Sequence, residues 1–473
     1  MQYRQIRDYL MLRLTFHGGA MSVTGANYLL DLAGTKVLVD CGLAQGSRFA
    51  ETLNYAPFSY PASTVDVILI THGHADHFAR LPKLYKDGFR GKIFTTVGTR
   101  DLMAKAFPDS YSHLAEEAVA ENHPPLYSPE DIAATMELVT GVKYYEPIEL
   151  AAGVTATFHN AGHILGSAII EIKLKTKNYT RLPDGQELET ILFSGDLGNS
   201  GSLLMPEKDF PTGADYLVLE SAYGGRTHEG KVEREAKFLE TLMHVVGHKG
   251  TLMIPAFAIE RAQEVLFLIN KLVENKIIPV MPVFFDSPLA IEMTKVYEQH
   301  RSEFNQTARD LFAAGDDIFK FPGLKLTSKV EESKKINDIP GPKVIIAGSG
   351  MSNGGRILHH ERRYLSDPNS AIIFVGYQVE GSLGRKILDG HPTVKIFGEE
   401  VPVRCIVKAI GGFSGHADQP QLVEWVERVK SANLKKVFLV QGEASSAMAL
   451  AEAIKAKVAV ETAVPQQDES FEL

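Results

Sequence analysis

The stretch Thr71-His72-Gly73-His74-Ala75-Asp76-His77 places three imidazoles and a carboxylate within six consecutive positions. An apolar run at 67–70 precedes it and is typical of a buried β-strand. Because residues two apart in extended backbone point the same way, the spacing predicts that His72 and His74 face one ion. The carboxylate and the third imidazole come one turn later and can reach a second ion. Imidazole and carboxylate are the ligands expected for Zn²⁺ or a similar transition metal.

Length and composition set the broad class of protein. A chain of 473 residues predicts two or more domains. Its 44% hydrophobic and 23% charged residues are ordinary for a globular protein, and no apolar run approaches the roughly 20 residues that span a bilayer. We therefore expect no membrane partner. The net charge of −9 argues mildly against a nucleic-acid partner but leaves room for a local basic groove.

Cysteine content indicates the cellular compartment. Cys41 and Cys405 are the only cysteines, which rules out a disulfide framework and a cysteine-rich zinc site. This cysteine usage fits a reducing cytoplasm, so we expect a cytoplasmic protein.

Several further candidate ligands stand where a strand ends. Asp40, Asp196 and Glu220 each follow an apolar run, and His163 lies in a glycine-rich turn. In layered α/β folds ligands collect at strand ends, so these residues together predict a site shared with the histidine stretch. By itself the stretch is also compatible with a histidine-rich surface loop. His159 lacks such a context and is interpreted as a structural or surface histidine.

From about residue 225 strand-like and helical runs alternate, which predicts a separate α/β domain with a parallel sheet. Two glycine-rich loops, at 347–356 and 376–385, occur in this part of the chain. Such loops can bind phosphate through backbone N–H groups and a nearby arginine, but neither is a P-loop. From spacing alone, ordinary turns are equally compatible.

The order of these motifs resembles a known family. Asp40, the His72-x-His74-x-Asp76-His77 run, His163 and Asp196 are similar to the motifs of the metallo-β-lactamase superfamily. The β-CASP branch of that superfamily acts on nucleic acids, and its motifs resemble Glu220, Phe413-Ser414-Gly415-His416-Ala417-Asp418 and Gln441-Gly442-Glu443. The likeness runs from about Leu12 to the last helix. It is greatest to the RNA-cleaving subunit of the eukaryotic pre-mRNA 3′-end processing factor and its bacterial and archaeal relatives.

The resemblance implies an α/β architecture of two domains. An αββα metallo-β-lactamase sandwich would begin at residues 12–224. A parallel-sheet β-CASP domain at 225–412 would interrupt it, and residues 413–473 would return to complete it. The site would lie in the cleft between the two domains.

The resemblance also implies a ligand set for two Zn²⁺ ions. His72, His74 and His163 would hold the first ion, and Asp196 would bridge to a second ion held by Asp76 and His77. Asp40 would orient a ligand histidine from behind.

The chain departs from the branch at Gln441, where a histidine normally reaches the second zinc. A glutamine carbonyl is a weaker and harder ligand than imidazole. The second site is then weaker, takes another metal or completes its shell with water, or Gln441 only forms hydrogen bonds there.

The implied activity is hydrolysis of RNA phosphodiester bonds, endonucleolytic, 5′-exonucleolytic or both, on a substrate expected to be single-stranded. Two cations about 3.5–4 Å apart lower the pKa of a water and clamp the phosphate. Asp76 and Asp196 would serve this chemistry as ligands. His416 would act as general acid or phosphate donor, with Glu220 orienting it. Loop context adds four candidates for contacts with RNA phosphates: Arg261, Ser349, Arg356 and Arg385.

Two other functions remain open from the sequence. One is an RNA-binding relative whose second metal site is impaired by Gln441. The other is a hydrolase of small thioesters or lactones, against which the inserted domain and His416 weigh. A homo-oligomer is compatible with either reading.

Overall fold

A computed structural model describes residues 12–32, 34–45, 48–120, 122–174 and 189–473. The sequence also predicts an irregular N-terminal extension at residues 1–11 and a hairpin turn at Pro183-Asp184-Gly185, and both lie outside these residues. The chain separates into two compact units. The first comprises the described residues up to Ser200, Glu207–Thr227 and His416–Leu473, and the second comprises Gly201–Pro206 and His228–Gly415. The domain limits at 12–224, 225–412 and 413–473 stay a prediction.

The first part of the first unit contains eleven strands among the described residues. They are β1 (Leu12–Gly18), β2 (Asn27–Leu32), β3 (Thr35–Val39), β4 (Val67–Leu69), β5 (Lys92–Thr96), β6 (Val139–Val142), β7 (Ile148–Ala151), β8 (Val154–Asn160), β9 (Ala168–Leu174), β10 (Glu189–Phe193) and β11 (Tyr216–Glu220). Its helices are α1 (Arg48–Tyr55), α2 (Ala75–Phe78), α3 (Leu81–Lys86), α4 (Val97–Ala120) and α5 (Pro129–Glu137), with a 3₁₀ turn at Ala62–Thr64.

The second unit alternates strands and helices. Its strands are β12 (Thr251–Pro255), β13 (Val283–Phe285), β14 (Leu324–Leu326), β15 (Lys343–Ala347), β16 (Ala371–Phe374), β17 (Thr393–Ile396), β18 (Glu399–Pro402) and β19 (Ile406–Ala409). Its helices are α6 (Lys231–His248), α7 (Arg261–Glu274), α8 (Pro288–Gln299), α9 (Gln306–Ala313), α10 (Val330–Lys335), α11 (Ile357–Tyr364) and α12 (Leu383–Leu388). Short 3₁₀ turns occupy Arg301–Glu303, Ile336–Asp338 and Gly411–Phe413.

The chain then returns to the first unit. This return adds α13 (Gln419–Val429), β20 (Lys436–Val440), α14 (Ala444–Val458), β21 (Glu461–Ala463) and β22 (Glu469–Glu472).

Two seven-stranded sheets form the first unit, in the orders β22-β1-β2-β3-β4-β5-β6 and β21-β20-β11-β10-β9-β8-β7. One apolar core takes side chains from both sheets, including Phe16 and Phe193, so the sheets pack face to face. On the outer face of the second sheet, Trp425 of α13 packs with Leu217 of β11. Helix α4 contacts β5 and β6 of the first sheet. This helix–sheet–sheet–helix layering confirms the predicted αββα sandwich.

The second unit is built on a six-stranded sheet in the order β14-β13-β15-β12-β16-β19. Every neighbouring pair in it is parallel. Ile345, Ile372 and Phe374 belong to its buried core. The predicted parallel sheet is therefore confirmed. Strands β17 and β18 form a separate antiparallel pair.

Residues 201–206 join the second unit although they precede it in the chain by more than twenty residues. A buried carboxylate holds them there. Glu264 Oε1 accepts hydrogen bonds from Ser202 Oγ at 2.7 Å and from the Leu203 backbone N–H at 2.9 Å. Asn305 adds a donor to the Leu203 carbonyl at 2.9 Å. Since these partners lie about 60 and 100 positions away, local sequence carries no sign of this attachment.

Parallel pairing sets where the functional side chains lie. Strands β3 and β4 pair in parallel with Val39 opposite Leu69, so the residues that follow them leave the sheet at the same edge. Strands β10, β11 and β20 are also parallel neighbours, with Glu220 opposite Val440. The loops that carry Asp196 and Gln441 therefore begin at the same end of the second sheet as Glu220.

Among the described residues, no helix has both the length and the apolar character needed to cross a membrane.

Candidate metal centre

Asp40 fixes the start of the histidine stretch. It follows β3 with a φ of +61°, a left-handed conformation that aspartate tolerates better than most residues. Its Oδ1 accepts a hydrogen bond from the Thr71 amide at 2.8 Å, and its Oδ2 accepts one from Thr71 Oγ1 at 2.8 Å. Asp40 Oδ2 also lies 2.7 Å from His77 Nδ1. The bond at Nδ1 turns His77 Nε2 toward the other candidate ligands, as an outer partner of a metal-binding histidine does.

Four donor groups converge at one point. One ligand atom from each of His72, His74, His163 and Asp196 lies within 4.8 Å of the others. His72 Nε2 is 3.1 Å from His74 Nδ1, and His163 Nε2 is 3.2 Å from the same Nδ1. Asp196 Oδ2 lies 3.3 Å from His72 Nε2 and 3.6 Å from His163 Nε2. Ring nitrogens that face one another at such distances have their lone pairs aimed at a common centre.

Close backbone approach brings His163 to Asp196. A Cβ at Gly198 would lie 1.9 Å from the Gly162 carbonyl oxygen, so only glycine lets these two loops meet. The Gly198 amide donates to the Ala161 carbonyl at 2.8 Å. The His163 amide in turn donates to Ser167 Oγ at 3.0 Å, which fixes the turn that carries the ring.

Burial favours the neutral form of the three imidazoles of this group, those of His72, His74 and His163. Burial lowers the pKa of His72, and it lowers the pKa of His74 and of His163 well below the usual value. Neutral imidazole is the form that binds a metal. Burial alone would raise the pKa of Asp196, but the positive charge of His77 outweighs burial and holds this pKa well below its ordinary range. The carboxylate is therefore ionised beside neutral ring nitrogens.

A second group of donors surrounds His77 Nε2. Asp196 Oδ1 lies 3.5 Å away and Asp76 Oδ2 3.7 Å away. The side-chain amide nitrogen of Gln441 lies 2.9 Å from the same Nε2. Burial opposes a charge on His77, but Asp196 and Asp40 outweigh it and hold the pKa of this ring well above its usual value. Asp196 thus has one oxygen toward each group of donors.

Glu220 and His416 meet next to Asp196. The Ala417 amide donates to the Leu197 carbonyl at 2.7 Å, which joins the two segments. Glu220 Oε1 accepts from the Leu197 amide at 2.6 Å, and its Oε2 lies 3.1 Å from His416 Nδ1. His416 Nδ1 is also 3.9 Å from Asp196 Oδ2. One atom from each of Asp196, Glu220 and His416 lies within 4.8 Å of the other two.

The charge of His416 follows from this pairing. Burial alone would lower its pKa, but the carboxylates of Glu220 and Asp196 raise the pKa of His416 to about 9. Its ring also lies 4.7 Å from the His163 ring, centroid to centroid.

The chemistry of the donors fits metal ions. Asp196 Oδ1 and Gln441 Oε1 are buried and have no hydrogen-bond partner among the described residues. A buried carboxylate or amide oxygen without a partner is costly, and a bound cation removes that cost. Three neutral imidazoles with one carboxylate form a ligand set suited to Zn²⁺.

The four candidates for phosphate contacts have local partners. Arg261 donates to Glu264 and to the Phe413 carbonyl. Arg356 donates to Asp286 Oδ1 at 2.7 Å and to two backbone carbonyls. Arg385 Nε lies 2.9 Å from Asp389 Oδ1, and Ser349 Oγ accepts from the Asn353 amide at 3.0 Å. Phosphate binding by any of the four stays a prediction, and the buried pairing of Arg261 favours a structural role.

Two residues that the sequence analysis did not single out lie in the cluster. Thr71 Oγ1 lies 3.0 Å from His72 Nδ1 while it donates to Asp40. The buried Tyr28 hydroxyl has no hydrogen-bond partner among the described residues, and burial, with the charges of Asp40 and Asp196, raises its pKa well above the usual value. A threonine directly before the histidine stretch was a usable signal, whereas Tyr28 in β2 had none. His159 lies apart on β8 with Glu171 Oε2 at 3.4 Å, so it has a structural partner.

Comparisons with known proteins agree with this geometry. A metallo-β-lactamase superfamily domain matches residues 29–184, and a β-CASP domain matches residues 262–387. A Zn-dependent metallo-hydrolase RNA specificity domain matches residues 400–465.

Curated relatives resemble the chain over nearly its whole length. A ribonuclease of Thermus thermophilus is 38% identical over 93% of this chain and 95% of its own length. The transcription termination factor FttA of Methanosarcina mazei is 31% identical over 95% of this chain and 70% of its own length. Among solved structures, a protein of unknown function from Enterococcus faecalis covers 98% of this chain and 100% of its own, with a TM-score of 0.51 and 11% identity. That likeness shows the fold alone.

These matches define the class of the protein as a metal-dependent hydrolase built on a metallo-β-lactamase fold. The chain belongs to the β-CASP branch of the metallo-β-lactamase superfamily. The resemblance stated from the sequence is thereby confirmed, and the family together with the donor cluster supports a metal cofactor.

Proposed function

We propose that the protein is a ribonuclease that cleaves phosphodiester bonds of single-stranded RNA with the help of two metal ions. The observation that carries this proposal is the convergence of His72, His74, His163 and Asp196 within 4.8 Å. The match of the C-terminal segment to an RNA specificity domain supports RNA over a small thioester or lactone. The named activity of the Thermus thermophilus relative points the same way.

In this proposal the ligands divide into two groups that share Asp196. His72, His74 and His163 would hold a Zn²⁺, and Asp76, His77 and Gln441 would complete the second position. When bound, the ions supply a water of lowered pKa and positive charge at the phosphate. Asp40 and Thr71 hold the rings of the histidine stretch in place through their hydrogen bonds. Asp196 would contribute to both positions, because Oδ2 lies near His72 and His163 and Oδ1 lies near His77.

His416 serves the leaving oxygen in the same proposal. Its Nδ1 pairs with Glu220 Oε2 at 3.1 Å, which orients the ring beside Asp196. The doubly protonated ring also carries a proton at Nε2, the atom that we assign to donation toward the leaving oxygen. Glu220 is a positioning residue, because it acts through His416.

The cellular setting stays a prediction. Cys41 and Cys405 are both free and buried, which is consistent with the predicted cytoplasmic location. We also retain the prediction of a possible homo-oligomer.

The direct test uses end-labelled single-stranded RNA, the matching DNA strand, and a panel of thioesters and lactones. The zinc-loaded protein is expected to shorten the RNA and leave the small esters intact, and Asp196→Asn is expected to abolish cleavage. Hydrolysis of a thioester or lactone in place of RNA would overturn the substrate assignment. RNA binding without any cleavage, in excess Zn²⁺ and also in excess Mn²⁺, would point to an RNA-binding relative with an inactive site.

The role of His416 has its own test. His416→Ala is expected to lower the cleavage rate about 10²- to 10⁴-fold, the range of general acid catalysis. Zinc content, measured by elemental analysis, should stay at the wild-type level because His416 is assigned no metal. Loss of zinc in this variant would make His416 a ligand and contradict the assignment. Glu220→Gln is the partner variant and should weaken cleavage with the zinc content likewise retained.

A further inference from the structure

Gln441 occupies an unusual position at the end of β20. Its side chain is buried and its φ is +47°. Its backbone N–H donates to the Gly19 carbonyl at 2.7 Å. Its side-chain Nε2 lies 2.9 Å from His77 Nε2, the nitrogen that faces the second group of donors. The side chain therefore meets His77 on the side of the ring opposite to Asp40.

The side-chain oxygen of Gln441 lies near the Tyr28 hydroxyl oxygen, and both oxygens are buried without a hydrogen-bond partner among the described residues. A Cβ at Gly19 would lie 2.4 Å from Gln441 Oε1 and 2.5 Å from the Tyr28 hydroxyl, so both oxygens border the space that this glycine leaves open. Neither oxygen has a hydrogen-bond partner among the described residues. Leaving an amide oxygen buried and unpaired costs roughly 1–3 kcal/mol. The unpaired oxygen therefore destabilises the arrangement in which the side-chain Nε2 faces His77.

Rotation of the side-chain amide by half a turn moves the oxygen from this place to the side that faces His77. Amide oxygen and nitrogen exchange places in such a rotation with almost no change of shape. Oε1 then faces the second group of donors, on the side where the structure has Nε2 at 2.9 Å from His77 Nε2. A cation next to His77 favours the orientation with the oxygen toward it, because an amide oxygen can bind a cation and an amide NH₂ group cannot.

The two groups of donors then differ in chemical character. The first offers three imidazole nitrogens and one carboxylate, whereas the second offers one imidazole, from His77, and oxygens from Asp76, Asp196 and Gln441. Imidazole-rich sets suit Zn²⁺, while carboxylate and carbonyl sets suit Mn²⁺ or Mg²⁺.

We propose that Gln441 makes the second position an oxygen-rich site that holds Zn²⁺ only weakly and that Mn²⁺ fills when it is supplied in excess, so that the protein carries a mixed zinc–manganese pair under those conditions. The inference rests on the proposed function, because it names the metal of that same site. The Gln441 side chain lies against His77 when the second position holds no ion and serves as an oxygen ligand when it holds one.

The test compares the wild-type chain with Gln441→His, which restores imidazole at this position, and with Gln441→Ala, which removes the amide. Each protein is loaded with excess Zn²⁺, dialysed against zinc-free buffer and measured by elemental analysis. Mn²⁺ is then titrated in, and bound manganese is counted from the loss of the free-ion electron paramagnetic resonance signal. This readout does not depend on catalysis.

The wild type is expected to retain about one zinc per chain and to bind about one Mn²⁺, whereas Gln441→His retains about two zincs and takes up no Mn²⁺. Gln441→Ala should retain one zinc and bind Mn²⁺ more weakly than the wild type. Retention of two zincs by the wild type, or failure of the zinc-loaded wild type to bind Mn²⁺, would overturn the inference and leave the proposed function standing. A wild type that retains no zinc at all would overturn the proposed function itself. The wild-type arm decides the question even when a variant fails to fold.

Discussion

Each unit of the molecule buries an aspartate among histidine and other polar groups, and the two clusters are built in opposite ways. In the second unit Asp286 Oδ1 accepts from Arg356 at 2.7 Å and from Thr327 at 2.9 Å. Its Oδ2 accepts from Ser333 at 2.6 Å and lies 2.8 Å from His360 Nε2. Both oxygens are therefore saturated by protein donors.

Asp196 in the first unit shows the opposite arrangement. Its neighbours His72, His77 and His163 lie between 3.3 and 3.6 Å away, and its Oδ1 has no hydrogen-bond partner among the described residues. The imidazole nitrogens around it face one another instead of donors or acceptors of opposite kind. The comparison teaches that a buried carboxylate saturated by hydrogen bonds stabilises the fold, while a carboxylate short of partners among facing imidazole nitrogens has room for a cation.

The largest expected effect is at a histidine of the unsaturated cluster. His163→Ala should lower RNA cleavage by about 10³-fold, because a metal supplies several kcal/mol to the transition state and each 1.4 kcal/mol is about tenfold in rate. Zinc retention should fall with it. The matched control is His159→Ala, four residues away on β8 and paired with Glu171, which should keep both cleavage and zinc. Equal losses in the two variants would erase the distinction between ligand and structural histidine.

The next effect is on stability, at the saturated cluster. Asp286→Ala leaves Arg356 and His360 without their buried partner, which should lower the free energy of unfolding of the second unit by about 3–5 kcal/mol. Urea unfolding followed by hydrogen exchange in β13 and β15 measures this loss, while zinc content should not change. Asp389→Ala, which removes the half-exposed partner of Arg385, should cost at most about 1 kcal/mol. Zinc loss in Asp286→Ala would mean that this cluster, too, depends on metal.

A smaller effect tests a third way of burying a carboxyl group. Glu361 accepts a hydrogen bond from Ser352 Oγ, and burial raises its pKa to about 8. The folded chain therefore keeps the proton while the unfolded chain releases it above its ordinary pKa near 4.5. Wild-type stability should fall relative to Glu361→Gln as pH rises from about 4.5 to 8, by up to about 1.4 kcal/mol per pH unit, and the difference should level off above pH 8. Unfolding titrations at several pH values measure it, and a difference that does not change with pH would show that Glu361 is ionised or accessible in the fold.

Sequence alone located much of the site because its main signals are local. His72, His74, Asp76 and His77 lie in one short run, and Asp40 and Glu220 follow recognisable strands. The αββα sandwich and the parallel sheet followed from the order of motifs and from the alternation of strands and helices.

What the sequence missed depends on partners far along the chain. Arg356 was a candidate for phosphate contacts, but in the fold it donates a hydrogen bond to Asp286, 70 positions earlier. Arg356 therefore has a structural partner that its local sequence does not indicate. Tyr28 joins the metal centre only because β2 brings it next to Gly19 and Gln441. No spacing rule connects such positions, since their contact is created by the packed sheets.

The central claim is that the unsaturated cluster is a metal site and the saturated one is not. Anomalous diffraction at the zinc absorption edge, from crystals of the zinc-loaded protein, tests it directly. The account predicts a peak enclosed by His72, His74, His163 and Asp196, and none between Asp286 and His360. A map without a peak among the first four residues, or with one at Asp286, would contradict it.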